Sequence, residues 1–168
     1  MKIDAFNDLG TAEAHAMLLT CCAAPQWADA LLARRPFRSV DAVLTAAAST
    51  WAEASDAQAL EAFTAHAVLG DVEHLRARFA GRAMTEQGQV LAADEDVLAR
   101  LAEANRTYLD RFGFIFILCA SGVSAEAMLA ALQARIDNDR DTEIRNAAVE
   151  QGRILALRLR DLFKEASA

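Results

Sequence analysis

Apolar side chains recur at three- and four-residue intervals along most of this chain, the spacing that gathers them on one face of an α-helix. Thr11, just after Gly10, is placed to cap a helix carrying Ala16, Leu18, Leu19 and Cys22. Pro25 suits the first turn of a second helix, which presents Trp27, Leu31 and Leu32 and stops at Arg34-Arg35-Pro36. Ser39 caps a third, with Val40, Val43, Leu44, Ala47 and Trp51 on one face. Ser55 and Gln58 have the separation of a capping box and open a short helix with Leu60 and Phe63. That helix is expected to stop near His66, because Gly70-Asp71 follows closely.

Asp71 then caps a segment with Leu75 and Phe79 that Gly81 closes, and Met84 to Gly88 make one short helical turn. Asp94 opens a long helix through Val97, Leu98, Leu101, Ala104, Tyr108 and Leu109, ending at Phe112-Gly113. Phe114 to Ala120 breaks the periodicity. It is wholly apolar with β-branched Ile115 and Ile117, which suits either a buried strand or a buried connection between helices. Ser124 starts a helix through Met128, Leu129, Leu132 and Ile136, and Asp141 or Thr142 starts a last one running to about Phe163. No repeat, linker or change of composition divides the chain. The pattern predicts one all-α domain over residues 1–168, a bundle of about eight or more helices.

Composition agrees with this reading and narrows the partners. The 168 residues are 54% hydrophobic and include 39 alanines, the strongest helix former. Seventeen Lys and Arg against 24 Asp and Glu leave a net charge of −7. No basic cluster suited to phosphate appears, so nucleic acid is not an expected partner. The densest positive group, Arg153, Arg158, Arg160 and Lys164, alternates with Leu and Asp as a solvated helix edge does. The longest apolar run, Phe112 to Ala120, is far short of the ~20 residues that span a bilayer. The first ten residues lack the apolar core of a signal peptide, so a cytoplasmic protein is expected. Of the three cysteines, Cys21 and Cys22 are adjacent, which disfavours a disulfide framework. These two and Cys119 read as small buried apolar groups, and Trp27 and Trp51 as core anchors.

Candidate chemistry is sparse. The histidines His15, His66 and His74 form no HExxH pair and the chain has no CxxC, so no metal site is expected. After Gly10 no glycine follows until Gly70, and no phosphate-cradling loop is present. His15 lies on a helix face, and His74 is followed by the charged Arg76 and Arg78. His66 differs, since it falls where a helix should end and a side chain can face a cleft; imidazole is the side chain suited to proton transfer near neutral pH. Glu86-Gln87, between Gly81 and Gly88, sets a carboxylate beside an amide, a pair able to hold a ureido-like ligand or simply to face solvent. The Phe114–Ala120 stretch must be largely core, yet its backbone N–H groups need partners and can point at a ligand carbonyl.

These residues fall within a longer ordered set. It begins with Leu19-Thr20-Cys21-Cys22-Ala23 and Trp27, then Arg35-Pro36-Phe37, then His66 with Gly70, then Glu86-Gln87. It continues through Asn105, Tyr108, Arg111-Phe112-Gly113-Phe114-Ile115-Phe116-Ile117, Ala120-Ser121-Gly122, Arg135, Asn138, Glu143, Glu150-Gln151 and Leu157-Arg158-Leu159. In that order, over almost the whole chain, the set resembles the 2-oxo-4-hydroxy-4-carboxy-5-ureidoimidazoline (OHCU) decarboxylases of uric acid degradation. The Cys-Cys-Ala form resembles their bacterial branch.

The resemblance implies an all-helical, cofactor-free and commonly dimeric enzyme that converts OHCU to (S)-allantoin. It places His66 on the family's catalytic histidine and Glu86 and Gln87 on its active-site Glu-Gln pair. It places Leu118 in the stretch whose backbone N–H groups bind the ligand, and Arg158 on an arginine that meets it. Such groups fit the chemistry. Loss of carbon dioxide leaves electron density on a ring carbon, which hydrogen-bond donors stabilise, and a proton must arrive on one face. Two positions depart from the family. Ala67 stands where proline is usual, leaving His66 free to continue its helix. Ala83 stands where serine is usual and removes one hydrogen bond to the ligand, worth about 0.5–1.5 kcal/mol. These departures define two alternatives, a catalytically silent module that binds a ureide or a protein, and a decarboxylase for a different heterocyclic acid.

Overall fold

Serine side chains open three of the helices, each by the same local bond. Ser39, Ser55 and Ser124 accept from the N–H three residues on, at 3.1, 3.3 and 3.2 Å, satisfying donors the helix itself leaves orphaned. Gln58 returns the favour to the Ser55 N–H at 2.7 Å and completes the capping box. The computed structural model describes residues 1–66, 73, 75–77 and 95–164. Among them every regular element is helical: α1 (Ile3–Asp8), α2 (Thr11–Cys21), α3 (Pro25–Leu32), α4 (Val40–Ala52), α5 (Asp56–Phe63), α6 (Glu95–Phe112), α7 (Ala125–Arg135) and α8 (Arg140–Phe163). Residues 73 and 75–77 are helical too, with Leu75 buried. The expected Met84–Gly88 turn lies outside the described residues.

Several details differ from expectation for local reasons. Helix α1 has too short an apolar pattern to announce itself; it buries only Phe6. Thr11 is the first residue of α2, with Gly10 at the cap. The last helix begins at Arg140, capped from Asp139, whose carboxylate accepts from the Thr142 N–H at 2.8 Å and the Thr142 hydroxyl at 2.7 Å. The Phe114–Ala120 stretch is a non-helical connection, with no strand pairing among the described residues.

The contacts divide the chain into two units, Met1–Ala65 with Ala148–Ala168, and His66–Ala147. In the first, α2 packs on α3 and α3 on α4. Trp27, one of its largest buried side chains, donates to the Ala47 carbonyl at 3.2 Å, and Trp51 donates to the Ala148 carbonyl at 2.8 Å. Each indole thus anchors the core without stranding its N–H. Phe6 meets Phe163 edge-on at 5.2 Å and stacks with Phe37 at 6.4 Å, while the Arg35 guanidinium lies 4.4 Å over its ring. Asn7 ties this corner by a reciprocal pair with the Phe37 backbone, at 2.8 and 2.9 Å.

In the second unit α6 packs along α7. Leu98, Leu101, Ala102, Asn105, Tyr108 and Phe112 form the buried stripe of α6, at the spacing the sequence shows. Met128, Leu129 and Leu132 of α7 and Phe114, Phe116 and Ile117 of the connection are also buried. Tyr108 lies at the centre of an aromatic cluster, with ring centroids 4.5 Å from Phe112, 5.2 Å from Phe116 and 5.9 Å from Phe114. No described helix is long and apolar enough to cross a membrane.

Candidate active site

His66 stands just past the end of α5. The helix tightens as it finishes, with Thr64 N–H donating to the Glu61 carbonyl at 3.1 Å and Ala65 N–H to that of Ala62 at 3.4 Å. His66 follows on a bend, half-buried and outside the helix. The helix therefore stops where its sequence predicts, and the residue before Ala67 leaves the helical path without a proline to force it. Ala67 itself, Ala83, His74, Glu86 and Gln87 lie outside the described residues.

Leu118 belongs to the same unit as His66, in the connection between α6 and α7. Among the described residues this connection has no strand partner, and arginines from the elements around it brace it, one at the helix end that leads into it and one within it. Arg140 donates to the Phe112 carbonyl at 3.1 Å, and Arg135 to the Ile117 carbonyl at 3.0 Å. Both also lie over rings of the connection, Arg135 at 4.7 Å from the Phe116 centroid and Arg140 at 5.9 Å from that of Phe114. Leu118 is half-buried, and among the described residues its N–H has no acceptor. An unmatched N–H in a partly enclosed place is a donor available to a ligand.

Arg135 is itself held by Glu143. Its Nε is 2.9 Å and its Nη2 2.8 Å from the Glu143 carboxylate, which is fully buried at 0% exposure. The Tyr108 hydroxyl also donates to this carboxylate, as do Asn138 and Asn146, each at 2.7 Å. Burial alone raises the Glu143 carboxyl, but the donors from Arg135, Tyr108, Asn138 and Asn146 outweigh it and hold the group below the ordinary carboxylate range. Burial first, and then donation to Glu143, push the Tyr108 phenol well up. In the sequence Arg135, Asn138 and Glu143 stand out only as parts of the ordered set. Their signal was a charged pair eight positions apart across a helix end, which spacing alone does not convert into a contact.

Arg158 lies in the first unit, on α8. It is half-buried, and its Nη1 donates to the Cys21 carbonyl at 3.0 Å. Nearby in that unit Gln151, fully buried, points its amide at the Cys22 sulfur, 3.6 Å away. Burial pushes the Cys21 thiol up, and the Cys22 thiol up to about 11, so both are neutral sulfhydryls at physiological pH. Arg153, Arg160 and Lys164 are exposed, as a solvated helix edge requires; Arg158 is the member of that basic group turned partly inward. His15 is half-buried, 3.4 Å from the Asp29 carboxylate. No group of three or more His, Cys, Asp or Glu among the described residues is arranged to hold a metal ion.

Set against known proteins, residues 7–160 match the family model for OHCU decarboxylase. The chain belongs to the OHCU decarboxylase family. It is 36% identical over 148 residues to the uric acid degradation bifunctional protein TTL of Arabidopsis thaliana, matching 86% of this chain but spanning only 46% of that protein. It is 33% identical to the 2-oxo-4-hydroxy-4-carboxy-5-ureidoimidazoline decarboxylase of Haloferax volcanii, over 83% of this chain and 82% of the relative. Among solved structures, an OHCU decarboxylase in the presence of (S)-allantoin superposes with a TM-score of 0.70 at 30% identity, covering 88% of this chain and 96% of that one. An (S)-allantoin synthase shares the fold, with a TM-score of 0.70 at 23% identity over 96% of this chain and 54% of the other.

Proposed function

We propose that this OHCU decarboxylase family member converts OHCU to (S)-allantoin without a cofactor, as a step of uric acid degradation. The observation that carries the reading is the family match over residues 7–160, which takes in His66, Glu86, Gln87, Leu118 and Arg158 in one stretch. The same continuity supports treating residues 1–168 as one functional domain. The protein acts in the cytoplasm as a homodimer on this reading.

The bond that breaks joins the carboxylate carbon to the ring. Its electron pair flows into the ring and onto the conjugated nitrogen, which takes up a proton; the hydroxyl on the same carbon then gives up its proton as a carbonyl forms, and the neighbouring carbon takes one in its place. His66, placed outside its helix and half-buried, manages the hydroxyl proton. Glu86 orients the ureido N–H groups, and Gln87 adds one donor and one acceptor. The Leu118 N–H meets an oxygen or nitrogen of the ring where charge develops. Arg158 offers the remaining N–H groups of its fork to the substrate carboxylate or a carbonyl. A single held pose exposes one face to the proton, which accounts for a single enantiomer.

The test follows freshly generated OHCU by ultraviolet absorbance and circular dichroism, with protein, without it, and with His66→Ala. The expected result is decay faster than the blank with a growing (S)-allantoin signal, and about 100-fold or more slower turnover in the folded variant. Racemic product at the blank rate from folded protein overturns the reading. That outcome favours the silent module to which Ala67 and Ala83 point, or an enzyme for another heterocyclic acid.

A further inference from the structure

We infer that Arg135 is a positioning residue for the reaction, aiming and polarising the Leu118 N–H by holding the carbonyl of the same peptide group. The inference rests on the reading above that this N–H meets the substrate. The Ile117 carbonyl and the Leu118 N–H belong to one planar peptide unit, and the cis bond among the described residues is elsewhere, at Arg35-Pro36. In a trans peptide the two groups point in opposite directions. Fixing the carbonyl therefore fixes the line along which the N–H points.

The fixing is unusually complete for a stretch outside regular structure. Arg135 reaches the Ile117 oxygen at 3.0 Å through Nη1, while Nε and Nη2 are both committed to Glu143. The guanidinium is planar and rigid, so these bonds together with the Phe116 ring beneath it remove its freedom to turn. Glu143 cannot drift, since Tyr108, Asn138 and Asn146 occupy its remaining acceptor sites. Rotating the peptide breaks a charge-assisted bond. The same cation draws electron density toward the carbonyl and leaves the N–H more positive, which strengthens any bond it donates. The carbonyl that Arg135 grips adjoins an N–H with no acceptor among the described residues, so the same bond that braces the connection also orients a donor left open to a ligand.

Arg135→Lys tests this, because a single ammonium cannot hold the Ile117 carbonyl and both Glu143 contacts at once. The expected result is a fall in kcat of about 10–100-fold with little change in KM or in (S)-allantoin affinity, the signature of a contact that matters in the transition state. A lower melting temperature with unchanged kcat overturns the inference and leaves a structural role. If Arg135→Lys does not fold, the pair Arg135→Met with Glu143→Gln removes both charges together and is held to the same split. An amide-to-ester replacement at Leu118 separates the two layers of the argument. An ester variant with wild-type kcat overturns the contact between Leu118 and substrate, and the inference with it. An impaired ester variant in which Arg135→Lys costs its full factor again sustains the contact but overturns the role of Arg135; no further loss supports both.

Discussion

Arg135 and Arg158 each donate to a backbone carbonyl, of Ile117 and of Cys21 respectively, both at 3.0 Å. Their surroundings give those bonds different meanings. Arg135 is met by a fully buried carboxylate that three other side chains also bind. Arg158 sits among neutral thiols and, among the described residues, pairs with no carboxylate. The cation of Arg135 is neutralised within the fold. That of Arg158 retains its attraction for an anion from outside. A charged residue serves structure or ligand according to whether the protein supplies its counterion.

The largest effect expected from this contrast is on stability. Glu143→Ala leaves the half-buried Arg135 with no counter-charge and strands Tyr108, Asn138 and Asn146, so it should cost about 3 kcal/mol in chemical denaturation. Arg158→Met loses one hydrogen bond at a half-exposed place and should cost no more than about 1.5 kcal/mol. Near-equal losses would show that both arginines are structural and end the comparison.

Substrate affinity, read as KM, reverses the ranking. Arg158→Met should raise KM for OHCU about tenfold or more while leaving a protein that melts close to wild type, since the substrate loses its charged fork. A KM within twofold of wild type removes Arg158 from the binding site and makes its bond to Cys21 the whole of its role.

Much of this molecule is legible in its sequence, and the parts that are not share a cause. Ser39, Ser55 and Ser124 announce their helices because a cap is a bond between near neighbours. The buried stripe of α6 is legible because periodicity is local. The Phe114–Ala120 stretch was ambiguous between strand and connection, since apolar content reports burial and not hydrogen-bond partners. It is braced by Arg135, 18 positions from the Ile117 carbonyl it holds, and by Arg140, which bonds the Phe112 carbonyl at the preceding helix end 28 positions away. The position of His66 outside its helix was expected from Gly70-Asp71. The assignment of catalytic and binding roles came from resemblance across the whole chain, not from any spacing.

Acid sharpens the comparison next. The folded Glu143 carboxyl lies below its unfolded value, so its contribution to stability is full above about pH 4.3 and is lost as pH falls through the folded value. Denaturation from pH 6 to pH 3 should therefore show wild type losing stability faster than Glu143→Gln, by up to about 1.4 kcal/mol per pH unit. Arg158→Met should run parallel to wild type over the same range. Parallel curves for wild type and Glu143→Gln would mean that the donors around Glu143 do not hold its proton off.

The smallest expected effect belongs to the other region, at alkaline pH. Cys21 and Cys22 have thiols raised by burial, that of Cys22 to about 11, so the folded chain keeps protons that the unfolded chain releases from about pH 9 upward. Their contribution is full below that point and is lost as pH rises toward the folded values. Tyr108 is raised as well, but its unfolded phenol releases its proton only near pH 10, so the thiols dominate the lower part of the interval from pH 9 to 10. Cys22→Ala should flatten the stability curve in that interval by up to about 1.4 kcal/mol per pH unit, and Cys21→Ala should flatten it further. Neither change should alter the acid limb, which belongs to Glu143. A wild-type curve already flat between pH 9 and 10 would mean that water reaches these sulfurs. The setting of Arg158 would then be more open than its burial beside them indicates, and its bond to Cys21 correspondingly weaker.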